Sequence, residues 1–335
     1  MDFQLSEDQH ALRSGLRDFC DDRYGFENIV ALEKTPLDRA RWSELAEMGV
    51  FSLRLPEAQG GVGLGMAESV LVFAELGRRV VPGPLLWSHL LAGLVPGAAT
   101  GETIVGGLDR TRASSEPLLV EYAGGLDALV VLAKDGVHRI EARKLAGTPV
   151  GTPLDPLTPL THVRELPKGE RIAGPEQAAQ LRLEGALLSS ALCLGITEMT
   201  AELAVEYAKK REQFDRPIGS FQAIKHPLVN VLIAVEQLRT LSYAAASALD
   251  AGDAEAEGLA RMAKAAASEA YPFACSRAVQ FHGGYGFTED CDAHLYLRRA
   301  LASRPALGDG REHRAAIAAS LLDGERATSA SRPRP

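Results

Sequence analysis

From about residue 170 the apolar residues recur at helical spacing over runs much longer than a single short helix needs. Leu192, Ile196, Met199, Leu203 and Tyr207 form one stripe, and Ile224, Leu228, Val231, Val235 and Leu238 form another. A third, alanine-rich run extends from Leu259 to Phe281. Stripes of this length must bury one face, and packing them on one another gives a helical bundle. Nearly all of these residues are therefore expected to be core.

The first hundred residues are helical by other signals. Ser6 followed by Gln9 is a capping box, in which each side chain satisfies a free backbone donor. Leu12, Leu16 and Phe19 follow at helical spacing, and a second helix through Trp42, Leu45 and Met48 stops near Gly49. In LRLPEAQGGVGLG, Pro56, Gly60, Gly61, Gly63 and Gly65 exclude a regular helix, and MAESVLVFAELGRRV then predicts another one ending before Pro82.

Between about 105 and 165 the character changes. An apolar run from Leu129 to Leu132, the pair Asp135-Gly136 and the alternating Val137 to Ile140 predict a hairpin, because a tight turn needs positive φ. Prolines at 149, 153, 156, 159 and 167 punctuate the rest. The expectation is a mainly α protein with a small β domain: an N-terminal helical domain over 1–104, a β domain over 105–168, a C-terminal helical bundle over 169–322 and a disordered tail over 323–335.

A chain of 335 residues is long enough for two or three packed units. Its net charge of -8 argues against a nucleic-acid binder, which needs a basic surface to neutralise phosphates. Cys20, Cys193, Cys275 and Cys291 are scattered, with no CxxC pair, so neither a metal site nor a disulfide framework is expected. MDFQLSEDQH has no basic-then-apolar signal, and no uncharged apolar run reaches membrane-spanning length. A cytoplasmic protein with no membrane span is expected.

Three stretches together resemble the acyl-CoA dehydrogenase family: LRLPEAQGGVGLGMAESVLVFAELGRRVVPGPLL (53–86), REQFDRPIGSFQAIKHPLVNV (211–231) and AVQFHGGYGFTEDCDAHLYLRRA (278–300). The first is similar to the family's PE-x-x-GG-x-G loop and the helix after it. The resemblance covers nearly the whole chain. It implies the family fold of helical domain, β domain and four-helix C-terminal domain. It also implies FAD as cofactor and an acyl-CoA thioester as substrate. Residues matching the family's flavin-binding pattern are Arg211, Phe214, Gln222, Gln280, Gly283 and Gly284. In the family these reach the FAD of a neighbouring subunit, so an oligomer is implied. The chemistry suits that role: arginine offers a planar fork to phosphate oxygens, an aromatic covers a flat ring, and paired glycines let a ligand approach the backbone. His282 has no metal-ligand partner at useful spacing and is expected to be structural.

The same resemblance exposes departures. The family reaction needs a carboxylate to take the α proton of the acyl group, while the flavin takes hydride from the β carbon. Counting without gaps from Arg298 to Arg314 places Leu307 where that glutamate belongs, followed by Gly308, with Asp309 and Arg311 at the next flavin-contacting positions. A minority of the family carries the base on an earlier helix, where this chain has Gly185. Glu184 is adjacent but turned by about 100° on a helix. Glu184 and Asp309 are the fallback candidates, and both are more simply explained as a helix-start acid and a loop acid. Neither the family's T-E-P-x-x-G-S-D stretch nor its aromatic-Thr-Thr stretch is found between 105 and 165.

The pattern resembles the shortened partner subunits of heterotetrameric, α2β2, steroid-CoA dehydrogenases. The expectation is a subunit that lacks its own base and completes the FAD site of a larger acyl-CoA dehydrogenase subunit, with electron-transfer flavoprotein as the acceptor the family implies. Two alternatives stand beside it: a self-sufficient dehydrogenase using Glu184 or Asp309, and a non-catalytic interaction protein of the same fold.

Overall fold

The computed structural model describes residues 4–112, 118–303 and 306–330. Five helices open the chain: α1 (Glu7–Tyr24), α2 (Phe26–Leu32), α3 (Arg39–Glu47), α4 (Met66–Arg78) and α5 (Leu85–Leu91). The α1 capping box forms as expected, with Gln9 N donating to Ser6 Oγ at 3.2 Å and Ser6 N donating to Gln9 Oε1 at 3.1 Å. α4 begins after Gly65, which has no side chain to cap it. Asp250, far along the chain, supplies the cap instead, accepting from the backbone N–H groups of Met66 and Ala67 at 2.7 and 2.9 Å.

The middle region carries two sheets. β1 (Val105–Asp109), β3 (Ala128–Ala133), β4 (Gly136–Glu141) and β7 (Glu170–Ala173) form one, with β1 and β3 parallel and the other pairs antiparallel. β2 (Leu118–Glu121), β6 (Leu160–Val163) and β5 (Gly147–Pro149) form an antiparallel second sheet. The expected hairpin is present with its turn one residue earlier. Ala133 pairs with Gly136, so Lys134 and Asp135 make the turn, and Gly136 takes the positive φ, +145°.

α6 (Pro175–Lys210), α7 (Gln222–Ala251) and α8 (Ala256–His282) are the long helices of the bundle, followed by α9 (Ala293–Ser303) and α10 (Gly310–Ala330). The small hairpin β8 (Glu212–Gln213) and β9 (Arg216–Pro217) joins α6 to α7. α6 passes a length-and-composition test for a membrane span, but 67% of its most apolar window is buried within the protein, as the central helix of a bundle must be. α10 runs to Ala330 and so takes in residues 323–330 as helix, where composition predicts a disordered tail. The segment has good helix formers and no proline. The last five positions of that predicted tail, 331–335, lie outside the described residues.

Two glycines set how the N-terminal helices meet the bundle. A Cβ on Gly195 of α6 would lie 1.8 Å from the carbonyl oxygen of Ala74 in α4, and one on Gly77 would lie 2.1 Å from the carbonyl oxygen of Leu192. The two backbones therefore touch, which holds α4 and α6 as adjoining walls of a cavity. Arg182 of α6 pairs with Asp109 of β1 at 2.6 Å and with Glu312 of α10, fixing the β region to the same helix.

Candidate functional site

The predicted site residues fall in two places. The first is a cavity of about 440 Å³ enclosed by α4, the 80–87 segment, strands β1 and β2, α6 and the end of α9. Leu76, Val80, Leu86, Trp87, Leu108, Leu192 and Ile196 give it apolar walls. Burial of this kind suits an apolar ligand body held by a few polar groups.

The two positions at which the resemblance places a base meet at the edge of this cavity. Leu307 lines it, and a Cβ on Gly185 would lie 2.7 Å from Leu307 Cδ1 and 3.0 Å from Leu90 Cδ1. Leu307 has φ +56°, a backbone state uncommon for leucine, and its carbonyl accepts from His313 Nε2 at 3.0 Å. Burial lowers the His313 pKa against the opposing pull of this bond to the Leu307 carbonyl. The two positions thus converge in space, and neither offers a proton acceptor.

The fallback acids are engaged elsewhere. The Glu184 carboxylate takes Arg54 Nη1 at 2.6 Å, Arg54 Nη2 at 3.2 Å and Gln180 Nε2 at 2.7 Å. This is the turned-away orientation that one step along a helix predicts. Asp309 is exposed and caps α10, accepting from Glu312 N at 2.9 Å. The carboxylates that do line the cavity, Asp109 and Glu121, come from β1 and β2. Asp109 is held by Arg182, and burial raises the Glu121 pKa against the opposing pull of Arg299.

Sequence reasoning missed the polar side chains at or behind this cavity, among them Asp109, Glu121, Ser189, Lys264 and Arg299. Arg299 is tied to Asp155 and donates to Val81 O at 3.4 Å, while its Nη2 is buried with no hydrogen-bond partner among the described residues. Lys264 of α8 is buried, and its Nζ donates to Ser189 Oγ at 2.8 Å. Burial pulls the Lys264 pKa down, opposed by Cys193 and Asp309. One signal was legible in the sequence: Lys264 falls inside the buried stripe Ala260, Ala263, Ala267 and Tyr271, where a solvated lysine has no place.

The second place is the end of the bundle where α6, the β8–β9 hairpin, the start of α7 and the end of α8 meet. Arg211, Phe214, Gln222, Gln280, Gly283 and Gly284 are all exposed there. The Tyr207 ring stacks on His282 at 4.2 Å between centroids, bringing the ends of α6 and α8 together. Phe214, 86% exposed, stands edge-on to Phe221 at 6.0 Å, and Arg216 lies over Phe221 at 4.1 Å. His282 is structural, its Nδ1 bonded to Ala278 O at 2.8 Å. Among the described residues no cluster of His, Cys, Asp or Glu could hold a metal, and all four cysteines are buried free thiols.

This patch fits a flavin nucleotide reaching in from outside. Among the described residues, the side chains of Arg211, Gln222 and Gln280 make no hydrogen bond within the chain, so their donors are available. A Cβ on Gly283 or Gly284 would meet nothing within 4 Å, so the backbone there is open to close approach, and Gly283 has φ +60°. A free arginine fork, open glycine backbone and an exposed aromatic make a donor set for phosphates and a flat ring.

Residues 6–101 match the family model "Acyl-CoA dehydrogenase, N-terminal domain", and residues 176–322 match "Acyl-CoA dehydrogenase, C-terminal domain". The chain is 34% identical over 281 residues to acyl-CoA dehydrogenase IpdE2 of Mycobacterium tuberculosis, covering 82% of this chain and 84% of that protein. Its fold superposes on a chain of the ChsE4–ChsE5 complex from Mycobacterium tuberculosis with a TM-score of 0.84 and 27% identity, covering 100% of both. It superposes on butyryl-CoA dehydrogenase from Megasphaera elsdenii with a TM-score of 0.81 at 20% identity, covering 96% of this chain and 100% of that one.

Proposed function

Because the chain belongs to the acyl-CoA dehydrogenase family of FAD-dependent oxidoreductases acting on CH–CH groups, we propose that it is a subunit of a heteromeric acyl-CoA dehydrogenase in which it completes a partner's flavin site without supplying the base. The observation that carries this reading is the contrast at the base positions. Leu307 and Gly185 converge without an acid, while the flavin-pattern residues stand open on the surface.

FAD, when bound, accepts the hydride from the β carbon of the acyl group. This chain's part is to bind and orient: Arg211 and the amides of Gln222 and Gln280 hold polar groups of the cofactor, the backbone at Gly283 and Gly284 lets it approach, and Phe214 covers it. The partner is a larger acyl-CoA dehydrogenase subunit in an α2β2 assembly. The surface supports a partner on this side. Phe214 and Phe287 are 86% and 82% exposed, Tyr285 is exposed beside them, and Val229, Leu232 and Ile233 leave an apolar stripe on α7. The substrate is the CoA thioester of a bulky acyl group, such as a steroid side chain, in keeping with a wide apolar cavity. Electron-transfer flavoprotein is the acceptor, and the site of action is the cytoplasm.

The test is co-expression with a full-length homologue of the family, followed by visible spectroscopy and a ferrocenium-coupled assay. The chain alone should be inactive and the complex yellow and active. Arg211→Ala in the complex should weaken flavin binding about 10- to 100-fold, the scale of one lost charge-assisted contact. Good turnover by the isolated chain, abolished by Glu121→Gln, would replace this reading with a self-sufficient enzyme.

A further inference from the structure

One hydroxyl in the cavity behaves unlike its neighbours. On α6, Ser190 donates to Ala186 O at 2.8 Å, Thr197 to Cys193 O at 2.6 Å and Thr200 to Ile196 O at 2.6 Å. Each satisfies itself on the carbonyl one turn back, as hydroxyls inside helices do. Among the described residues Ser189 makes no such bond. Its Oγ is instead taken by Lys264 Nζ at 2.8 Å, from a lysine only 1% exposed. The lysine donates, so Ser189 keeps its own O–H for another acceptor.

That acceptor has to come from the cavity. Ser189 lines it, while Lys264 stands behind the wall. Gly185, Ser189, Leu192 and Ile196 are spaced i, i+4, i+7 and i+11, so they share one face of α6. Apart from Ser189 and the Cys193 thiol, the part of α6 that lines the cavity is hydrocarbon. A hydroxyl buried in such a wall is costly to leave unmatched, and the lysine behind it polarises its O–H toward the ligand. One helical turn, about 5.4 Å, separates it from Gly185.

We propose that the Ser189–Lys264 pair is a specificity device that selects an acyl group bearing an acceptor oxygen, a keto or carboxylate group, one helical turn from the Leu307–Gly185 contact. Ser189 is the group that touches the ligand; Lys264 is a positioning residue acting through it. The inference rests on reading the cavity as an acyl site. It goes beyond that reading by naming the kind of acyl group: an oxygenated one in preference to a plain hydrocarbon of the same length.

The full chain would be titrated calorimetrically with octanoyl-CoA and with 5-, 6- and 7-oxo-octanoyl-CoA. At least one oxo compound should bind about ten-fold tighter than octanoyl-CoA, the gain expected of one well-formed buried hydrogen bond. In Ser189→Ala the ratio of the two affinities should collapse to about one, and in Lys264→Met it should fall the same way. Should Lys264→Met fail to fold, Ser189→Ala carries the test alone. Equal affinities for all four compounds in the unaltered chain would overturn the selectivity while leaving the acyl site standing, and so would a preference that survives Ser189→Ala. If none of the four compounds binds, the acyl reading of the cavity falls and the selectivity with it.

Discussion

The cavity and the open end of the bundle are two sites in one molecule, and they have diverged in opposite directions. In the cavity the positions that would do chemistry are filled by hydrocarbon: Leu307 packs toward Gly185, and the nearby acids Glu184 and Asp309 are committed to an ion pair and a helix cap. At the bundle's end Arg211, Gln222 and Gln280 are polar and exposed and, among the described residues, make no side-chain hydrogen bond within the chain. Around the cavity the expected base positions are packed with hydrocarbon, while the end of the bundle stands open. On the reading proposed above, a chain with that division meets its cofactor on its outside, which is why a partner belongs in that proposal.

Glycine offers the hardest way to break this comparison, because each site contains glycines of the opposite kind. Gly195→Ala pushes a Cβ to 1.8 Å from the Ala74 carbonyl oxygen, where only backbone can yield. The α4–α6 contact must open, and the fold should lose about 3 kcal/mol or more, read as a lower denaturation midpoint. Gly284→Ala meets nothing within 4 Å. It should change stability by less than about 0.5 kcal/mol and show its effect in the flavin content of the complex instead. Equal stability losses at the two glycines would end the distinction between a packed and an open site.

Titration gives a second, smaller test of the interior. His89 of α5 is buried, donates through Nδ1 to Val50 O at 2.8 Å and leaves Nε2 without a partner among the described residues. Burial pushes its pKa from 6.5 down to about 4. The folded protein therefore keeps the ring neutral while the unfolded chain binds a proton as the pH falls through 6.5. Stability contributed by the neutral ring is full above that pH and is lost on acidification. The loss should reach about 2 kcal/mol between pH 6.5 and 5. Urea titrations at the two pH values should show this extra loss in the unaltered protein and not in His89→Gln, and an identical pH slope in both would remove His89 from the packed interior.

The sequence made some of this comparison visible and hid the rest, for physical reasons. Local rules reached the Ser6–Gln9 capping box, the hairpin near Asp135-Gly136 and the helical stripes, because each depends on residues a few positions apart. Counting along the resemblance placed Leu307 and Gly185 at the base positions, and helical rotation alone turned Glu184 away. What could not be read is what depends on segments distant in the chain. That Leu307 and Gly185 meet, that Asp250 caps α4, and that Lys264 reaches Ser189 across two helices are all consequences of packing. For residues 323–330 the composition also misled, since a polar stretch without proline is as compatible with helix as with disorder.

Glu184 tests the comparison most gently and most directly, because it is the acid nearest in sequence to a base position. Its carboxylate, 11% exposed, holds Arg54 through two bonds and Gln180 through a third. Glu184→Gln keeps the shape and removes the charge, so Arg54 loses its counterion while retaining a neutral acceptor. Arg54 remains about a third exposed, and solvent can take over part of the lost interaction. The expected cost is therefore about 1 kcal/mol, below the 3–5 kcal/mol of breaking a fully buried pair. Turnover of the complex should stay within about two-fold, because a structural ion pair contributes nothing to proton removal, whereas loss of a true base costs about 100-fold or more. A hundred-fold fall in kcat with an unchanged denaturation midpoint would show that the interior had kept its chemistry one residue from where the family places it.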